Sequence, residues 1–265
     1  MPIEFTNVFR TLTNSEFESI DYRVMGCAFA SQNELGRLCE ERVYENDLAA
    51  RLRAKGMVDV YTQLPVVVSY NNFRKVYRID IVVNGILYEL KAVSELTTAH
   101  EAQGINYSAL LGLDRFKLIN FGSESVEGRL KRCPFFSLDR KNVAIARDSW
   151  KPLSKSCDLL IRDVAACLHD WGGFLEASIY NEALVFLNGG EDICIRRLPV
   201  SSNGVQLGHH CVKIIEEDIA FEVTSLADVS AYEKQLNRLF QLLPIRAWHL
   251  INIYHSKMTI VTLTK

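Results

Sequence analysis

Residues 76–93 read V-Y-R-I-D-I-V-V-N-G-I-L-Y-E-L-K-A-V, and the predicted fold depends on this stretch. Asn84-Gly85 stands between two runs rich in β-branched residues, which is a strong signal for a two-residue hairpin turn. Because such a turn sets the register of the two strands, Asp80 is expected to face Glu89 across the hairpin. The sequence therefore predicts a β-hairpin with one apolar face packed on a core.

The second face of this hairpin carries charge. It collects Arg78, Asp80, Glu89 and Lys91. Two carboxylates directly opposite each other destabilise a strand pair, so something should neutralise them. A divalent cation would do so, because hard cations prefer carboxylate oxygens. Lys91 projects to the same face and would hold a phosphate or a water near that cation. The alternative is a solvated sheet face with charge pairs such as Lys91 to Glu89.

The composition limits what the whole chain can be. Its 265 residues include 30 basic and 32 acidic ones, and the pI near 6.3 excludes a strongly basic coat for nucleic acid but not a local basic patch. No secretory signal and no uninterrupted apolar window of about 18 residues is present, so no membrane association and a cytoplasmic location are expected. The seven cysteines include no C-x-x-C pair, which favours reduced, packed thiols.

One pattern occurs twice in the chain, at an offset that falls from 136 to 132 residues. Several short motifs recur in the same order. They are Gly36, Tyr44 and Leu48 with Gly172, Tyr180 and Leu184; Leu64-Pro65 with Leu198-Pro199; 88–93 with 221–226; 100–103 with 232–235; and 118–120 with 250–252. Ordered matches of this kind indicate a duplicated domain.

Each copy is predicted to contain two helices, an extended strand, a hairpin, a third helix and a further apolar strand. This order predicts an α/β protein with two domains, each a mixed central β-sheet flanked by helices. The first domain is expected over residues 1–135 and the second over residues 156–265. Residues 136–155, which include Pro152 and mixed charges, are expected to connect them.

The second copy has a different charge pattern in its hairpin, residues 212–224. The positions of Asp80, Glu89 and Lys91 are taken, in order, by Lys213, Glu222 and Thr224. With unchanged spacing, Lys213 would face Glu222 and form an ion pair in place of a metal site. The second copy is therefore expected to keep the scaffold and to lose the metal.

These motifs resemble the PD-(D/E)XK nuclease superfamily, and more closely its GxxExxY branch with RecB-like motifs. The resemblance covers about residues 20–132 and rests on Gly36 to Leu48, R-I-D (78–80), E-L-K-A-V (89–93), H-E-A-Q-G-I-N-Y (100–107) and L-I-N-F-G (118–122). Leu38 departs from the branch, which usually has a second glycine there. The resemblance implies two restriction-endonuclease-like domains, the second of them degenerate.

The same resemblance implies roles for individual residues. Glu41, Asp80 and Glu89 would bind Mg²⁺ or Mn²⁺, with Glu40 as the exposed neighbour of Glu41. Lys91 would position the attacking water or stabilise phosphate charge. Catalytic roles also fall on Gln103 and Tyr107, whose i, i+4 spacing places both on one helix face. For this last pair, a helix that simply covers the sheet is the alternative.

Several basic residues near this site are expected to contact nucleic acid. They are Lys75, Arg78, His100 and Lys117. A scatter of solvated charges is the alternative for each of them, and a place at the start of a helix is the alternative for His100.

The predicted function is metal-assisted hydrolysis of phosphodiester bonds, with one active site in the first copy. DNA is favoured over RNA as the substrate, and the chain is expected to be a monomeric pseudo-dimer or a homodimer. One alternative is a nucleic-acid-binding module that turns over little. Another is a protein-interaction or regulatory module, such as a component of a defence or repair system. Intact Asp80, Glu89 and Lys91 favour the nuclease, whereas the acidic pI and the altered second copy favour the alternatives.

Overall fold

A computed structural model describes residues 2–7, 9–133 and 139–265 of the chain. The chain folds into two compact units. The first comprises Met1–Ser69 and Arg74–Ser137, and the second comprises Tyr70–Phe73 and Leu138–Lys265. Each unit holds a six-stranded mixed sheet flanked by helices, which confirms the predicted fold class. The predicted boundary at residues 135 and 136 lies outside the described residues.

The first sheet has the strand order β1-β2-β3-β4-β5-β6. Its elements are β1 (Ile3–Glu4), α1 (Asn14–Leu35), α2 (Glu41–Ala54), β2 (Val60–Tyr70), β3 (Phe73–Val83), β4 (Ile86–Lys91), α3 (Thr98–Leu111), β5 (Arg115–Asn120) and β6 (Glu127–Arg132). Strand β4 is antiparallel to β3 and parallel to β5, and α3 forms the crossover between the two parallel strands.

The second sheet has the strand order β7-β12-β11-β10-β9-β8. After a short 3₁₀ turn, its elements are β7 (Ala144–Ser149), α4 (Lys155–Trp171), α5 (Ala177–Leu187), α6 (Glu191–Cys194), β8 (Ile195–Ser202), β9 (Val205–Glu216), β10 (Ile219–Thr224), α7 (Ser230–Gln241), β11 (Ala247–Tyr254) and β12 (Lys257–Thr264).

Strand β7 lies inside the segment 136–155, which the sequence indicated only as a connection. Its residues are almost all exposed, so the stretch shows none of the alternation that marks a half-buried strand. It is a strand because it pairs in parallel with β12 of the second unit. Pairing with a distant segment decided its conformation, and a local pattern could not reveal it.

The two units repeat one order of elements. Helices α1, α2 and α3 with strands β2–β6 correspond to α4, α5 and α7 with β8–β12. In each unit a tyrosine of the second helix donates a hydrogen bond to the glycine that ends the first helix. The distances are 2.7 Å from Tyr44 Oη to Gly36 O and 3.1 Å from Tyr180 Oη to Gly172 O. Both glycines have a positive φ, which side chains with a Cβ rarely adopt.

The first hairpin forms at the predicted turn. Asn84 and Gly85 both have positive φ, as a tight two-residue turn requires, and Val83 pairs with Ile86. Helices α1 and α2 cover one face of the sheet, where residues such as Val24 and Leu48 join Tyr88 in a buried cluster.

Helix α3 covers the opposite face of this sheet and lies very close to β5. A Cβ added at Gly104 would lie only 2.0 Å from Phe116 Cε2. Because Phe116 pairs with Leu87, this is the face that also carries Glu89. Helices therefore cover both faces of the sheet at β4, where Glu89 and Lys91 are buried, whereas Arg78 of β3 is exposed.

All seven cysteines are free thiols. In the part of the chain that the structure describes, the helices are too short or too polar to cross a lipid bilayer.

Candidate functional site

Four charged side chains from three elements meet at one end of the first sheet. Glu89 and Lys91 come from β4, Asp80 from β3, and Glu41 from the first turn of α2. Lys91 Nζ lies 2.6 Å from Glu89 Oε1 and 3.7 Å from Glu41 Oε2. The structure thus brings Lys91 together with the three carboxylates for which metal binding was predicted.

Asp80 is held by the backbone of the neighbouring strand. Strands β3 and β4 pair Val83 with Ile86 next to the turn and Ile81 with Tyr88 two residues further on. One residue further along β3, the Asp80 carboxylate accepts a hydrogen bond of 3.0 Å from the backbone N–H of Leu90. This bond keeps the carboxylate against β4, beside Glu89.

The cluster is buried, and burial dominates its electrostatics. Glu89 is fully buried, and Lys91 is only 6% exposed. Burial raises the pKa of Glu89 to about 8, with a further contribution from the Asp80 charge and opposition from Lys91. Burial also raises the pKa of Asp80, against the Leu90 hydrogen bond and the charge of Lys91. Burial lowers the pKa of Lys91, but Glu89, Glu41 and Asp80 outweigh it and leave that pKa raised.

One oxygen of this cluster has no partner. Glu89 Oε2 is buried and accepts no hydrogen bond, which is costly for a carboxylate. A cation bound there would remove that cost, and three carboxylates are the ligands that Mg²⁺ or Mn²⁺ prefers. Within the described ranges no three acidic, histidine or cysteine side chains are grouped closely enough to hold a metal ion. The three carboxylates thus fit a hard cation by their chemistry but are not drawn together around one, and Lys91 Nζ lies within 4 Å of both Glu89 and Glu41.

Helix α3 places two polar side chains beside the cluster. Gln103 Nε2 donates a hydrogen bond of 3.1 Å to Tyr107 Oη. Burial raises the pKa of the Tyr107 phenol, the Gln103 bond opposes it, and the charges of Glu89 and Asp80 raise it further. Tyr107 therefore lies close enough to Glu89 and Asp80 for their charges to affect its pKa.

Sequence reasoning missed one carboxylate near the cluster. Glu45, only 3% exposed, accepts hydrogen bonds of 2.6 Å from Arg42 and 2.7 Å from Gln63. Burial raises the pKa of Glu45, the Gln63 and Arg42 contacts lower it, and the Asp80 charge raises it. Gln63 has a φ of 50° inside strand β2, a strained conformation for a residue with a Cβ. The i, i+4 spacing from Glu41 was the signal that could have identified Glu45.

Two of the predicted nucleic-acid contacts lie on β3. Arg78 is exposed two residues before Asp80, and Lys75 lies over the ring of Tyr77, 4.9 Å from its centroid. Tyr77 in turn packs edge-on against Tyr107, with 6.1 Å between ring centroids. These two cations are on the strand that also carries Asp80.

The other two predicted contacts have structural partners elsewhere. Lys117 Nζ binds Asp21 of α1 at 2.5 Å and is largely buried, on the sheet face opposite Glu89. His100 Nδ1 accepts a hydrogen bond of 3.0 Å from the Thr97 N–H and caps α3. The structure therefore does not bring Lys117 into the cluster, and it uses His100 to start a helix.

The second unit lacks the predicted ion pair between Lys213 and Glu222. The register shifts by one residue at the start of β10, so Lys213 lies opposite Phe221. A slip of one residue turns a side chain to the other face of a sheet, so Lys213 and Glu222 point to opposite faces. Glu222 instead accepts a hydrogen bond of 2.6 Å from Tyr232 Oη. The prediction was wrong because it assumed a regular hairpin.

The bulge also changes what lies beside Glu222. It brings the apolar Val212 to that face, where Val212 joins the core under α7. Thr224, in the Lys91 position, donates a hydrogen bond of 2.9 Å to Asn252 Oδ1. The second unit therefore presents one carboxylate where the first presents a cluster.

Comparison with known proteins agrees with this difference. Residues 18–133 match the sequence profile of the PD-(D/E)XK nuclease superfamily, whose members are generally nucleases that use divalent metal ions. The match spans less than half of the chain and contains the whole carboxylate cluster with Lys91. No curated protein and no solved structure matches the chain.

Proposed function

We propose that the first unit is a divalent-metal-dependent nuclease that hydrolyses phosphodiester bonds, with DNA favoured over RNA. The observation that carries this proposal is Glu89, fully buried with one unpartnered oxygen beside Asp80 and Lys91. A cluster of buried charges is costly for a fold, and such clusters with raised carboxylate pKa values are typical of functional sites.

The residues of the cluster would divide the chemistry between them. Glu41, Asp80 and Glu89 would hold Mg²⁺ or Mn²⁺, which when bound lowers the pKa of a water and polarises the phosphate. Lys91, released from Glu89, would donate hydrogen bonds to a phosphate oxygen and stabilise the negative charge that develops there. Gln103 and the Tyr107 hydroxyl would orient the phosphate or the water.

We further infer that the two units arose by duplication, as domains over residues 1–135 and 156–265. The shared order of elements supports this, as does the repeated bond from tyrosine to glycine between the first two helices of each unit. Glu89 and Glu222 are each the fourth residue of equivalent strands. Of the connection predicted over residues 136–155, strand β7 belongs with the second unit.

A nucleic-acid-binding or protein-interaction module without turnover is the second candidate. The observation in its favour is Lys91 itself, which already neutralises Glu89 and approaches Glu41. If that arrangement is permanent, divalent metal ions will neither bind nor promote cleavage.

Cleavage assays with paired variants separate the two candidates. Plasmid and single-stranded DNA are incubated with the protein in Mg²⁺, in Mn²⁺ or in EDTA. We expect metal-dependent cleavage that falls by roughly 100-fold or more in Asp80→Asn and in Lys91→Ala, since each removes a group that acts on the transition state. Glu222→Gln, a matched carboxylate change in the second unit, should cleave like the wild type.

The nuclease proposal fails if the wild type cleaves neither substrate under these conditions. It also fails if Asp80→Asn and Lys91→Ala cleave as well as the wild type.

A further inference from the structure

The hairpin of β8 and β9 in the second unit is positively charged. Its paired portion, residues 195–213, is called here the β8–β9 ribbon. It contains Arg196, Arg197, Lys213 and the pair His209-His210, and it contains no aspartate or glutamate. The chain as a whole carries a formal net charge of −2, whereas the net charge of the ribbon is positive.

The ribbon is also exposed. Strand β8 ends the order of its sheet, whereas the equivalent β2 has β1 paired along its outer edge. Both arginines and both histidines of the ribbon are exposed. At its tip, Val205 is 59% exposed and Leu207 is 65% exposed, although both are apolar.

No carboxylate of the described residues neutralises the basic side chains of the ribbon. The Arg196 guanidinium bonds the backbone carbonyls of Asp192 and Ile195. Across the described residues, no carboxylate forms an ion pair with Arg196, Arg197 or Lys213. Unpaired basic groups on an exposed surface attract a polyanion.

The register shows that one face of the ribbon is anchored and the other is presented. Leu198 and Val200 pack against the core under α7. Arg197 pairs with Cys211 and Pro199 pairs with His209, on the opposite face. Arg197 and His209 therefore stand on a face that the α7 core does not cover.

We infer that the β8–β9 ribbon binds duplex DNA by entering its major groove. Two antiparallel strands lie about 4.8 Å apart, and the major groove of B-DNA, about 12 Å wide, admits a two-stranded ribbon. The 8 residues of β8 extend over about 26 Å, enough to follow the groove. The major groove of duplex RNA is too narrow for this, so the ligand is DNA.

Within the groove, the side chains of the ribbon have distinct partners. Arg197, on the presented face, reaches guanine edges, and Arg196, on the other face, contacts a backbone phosphate at the groove wall. The exposed apolar Leu207 at the tip contacts thymine methyl groups. This inference rests on the proposed function only for its ligand class, and the binding itself needs neither metal nor turnover. A DNA contact in one unit raises the effective concentration of DNA at a second site in the same chain.

Binding of a fluorescein-labelled DNA duplex, followed by anisotropy in EDTA, tests the inference. The variant is Arg196→Ala/Arg197→Ala, and the matched control is Arg162→Ala/Arg238→Ala, which removes two exposed arginines from helices of the same unit. We expect the ribbon variant to bind at least about 10-fold more weakly, with a salt slope smaller by about 2, and the control to bind within about two-fold of the wild type.

The inference is overturned if the wild type does not bind the duplex, or if the ribbon variant binds as tightly as the control. Equal or tighter binding of a duplex RNA of the same sequence also overturns it. Each protein is checked by circular dichroism, and Arg197→Gln replaces the double variant if that variant does not fold.

Cleavage assays distinguish a failure of this inference from a failure of the proposed function. Asp80→Asn should lose cleavage, and the ribbon substitutions should weaken its binding of duplex DNA in EDTA by the same factor as they weaken that of the wild type. A wild type that binds DNA through the ribbon but never cleaves it contradicts the nuclease proposal alone. A wild type that cleaves DNA, with a ribbon variant of unchanged Kd, contradicts the ribbon inference alone.

Discussion

Under the proposed function, Lys91 would have two roles at the candidate site, one without a bound cation and one with it. Without a bound cation, its ammonium neutralises Glu89 and lies near Glu41. This pairing lets a fold tolerate several buried carboxylates, since a buried charge without a partner is strongly destabilising. With a cation bound, the same ammonium becomes available for phosphate. The spacing along the strand predicted that Lys91 and Glu89 share a face. It did not predict that the two side chains form an ion pair with each other.

Glu45 is expected to support the cluster without contacting substrate. Its carboxylate is fixed by Arg42 and Gln63 and adds negative charge near Asp80. We expect Glu45→Gln to reduce metal-dependent cleavage by about 10- to 100-fold, because groups behind metal ligands typically have effects of this size. The measurement is the cleavage rate as a function of Mn²⁺ concentration.

If Glu45 positions the metal ligands, Glu45→Gln should also change how cleavage depends on the metal concentration. The concentration of Mn²⁺ needed for half-maximal cleavage should rise, while the thermal midpoint should change little. Unchanged metal dependence together with a lowered midpoint would assign Glu45 to stability alone.

At the scale of elements, the close approach of α3 to β5 positions Gln103 and Tyr107. In Gly104→Ala the new Cβ would overlap the Phe116 ring, so helix and strand must move apart. We expect a loss of about 1–3 kcal/mol in the free energy of unfolding, with weaker cleavage as α3 shifts. Chemical denaturation and the cleavage rate measure the two effects.

Gly26→Ala is the matched control for this change. Gly26 lies within α1, and a Cβ there would meet no atom within 4 Å. Alanine should therefore stabilise the helix by up to about 1 kcal/mol. If Gly104→Ala proves as stable as Gly26→Ala, the close approach of α3 does not hold in solution.

Strand β11 should make the second unit sensitive to acid. His249 is fully buried, and burial lowers its pKa to about 4. Between about pH 6.5 and that value, the unfolded chain binds a proton that the folded unit does not, so stability falls as the pH drops. Because of this group, the wild type should lose on the order of 2 kcal/mol in its free energy of unfolding between pH 7 and pH 5. His249→Leu should not show this loss.

Thermal midpoints at pH 7 and pH 5 measure this component. The control is His169→Leu, because the His169 side chain is 83% exposed. A pH dependence that is equal in wild type and His249→Leu would show that His249 is not a neutral buried group.

The two hairpins show how far sequence patterns predict elements. Asn84-Gly85 enforces a two-residue turn, so the register of β3 and β4 could be predicted from local chemistry. The second hairpin has no such turn signal, and its bulge depends on how β10 packs between its neighbours. The positions of Lys117 and Glu45 depended likewise on tertiary packing, which spacing in one chain does not report.

At the scale of the whole molecule, one architecture is present twice with unequal chemistry. The five equivalent strands follow the same order in each unit, with the sixth strand at opposite edges, and the same bond between tyrosine and glycine recurs. Among the described residues, the first unit gathers Asp80, Glu89 and Lys91, and residues 18–133, which contain them, match the nuclease superfamily. The same substitution is therefore expected to have different consequences in the two units.

Isothermal titration calorimetry with Mn²⁺ tests this difference between the two units most directly. The proteins compared are the wild type, Glu89→Gln and Glu222→Gln, which carry the same change at equivalent strand positions. We expect Mn²⁺ to bind to the wild type and to Glu222→Gln, and not to bind to Glu89→Gln. Absence of binding by the wild type, or binding that survives Glu89→Gln, would contradict a metal site built on the buried carboxylates of the first unit.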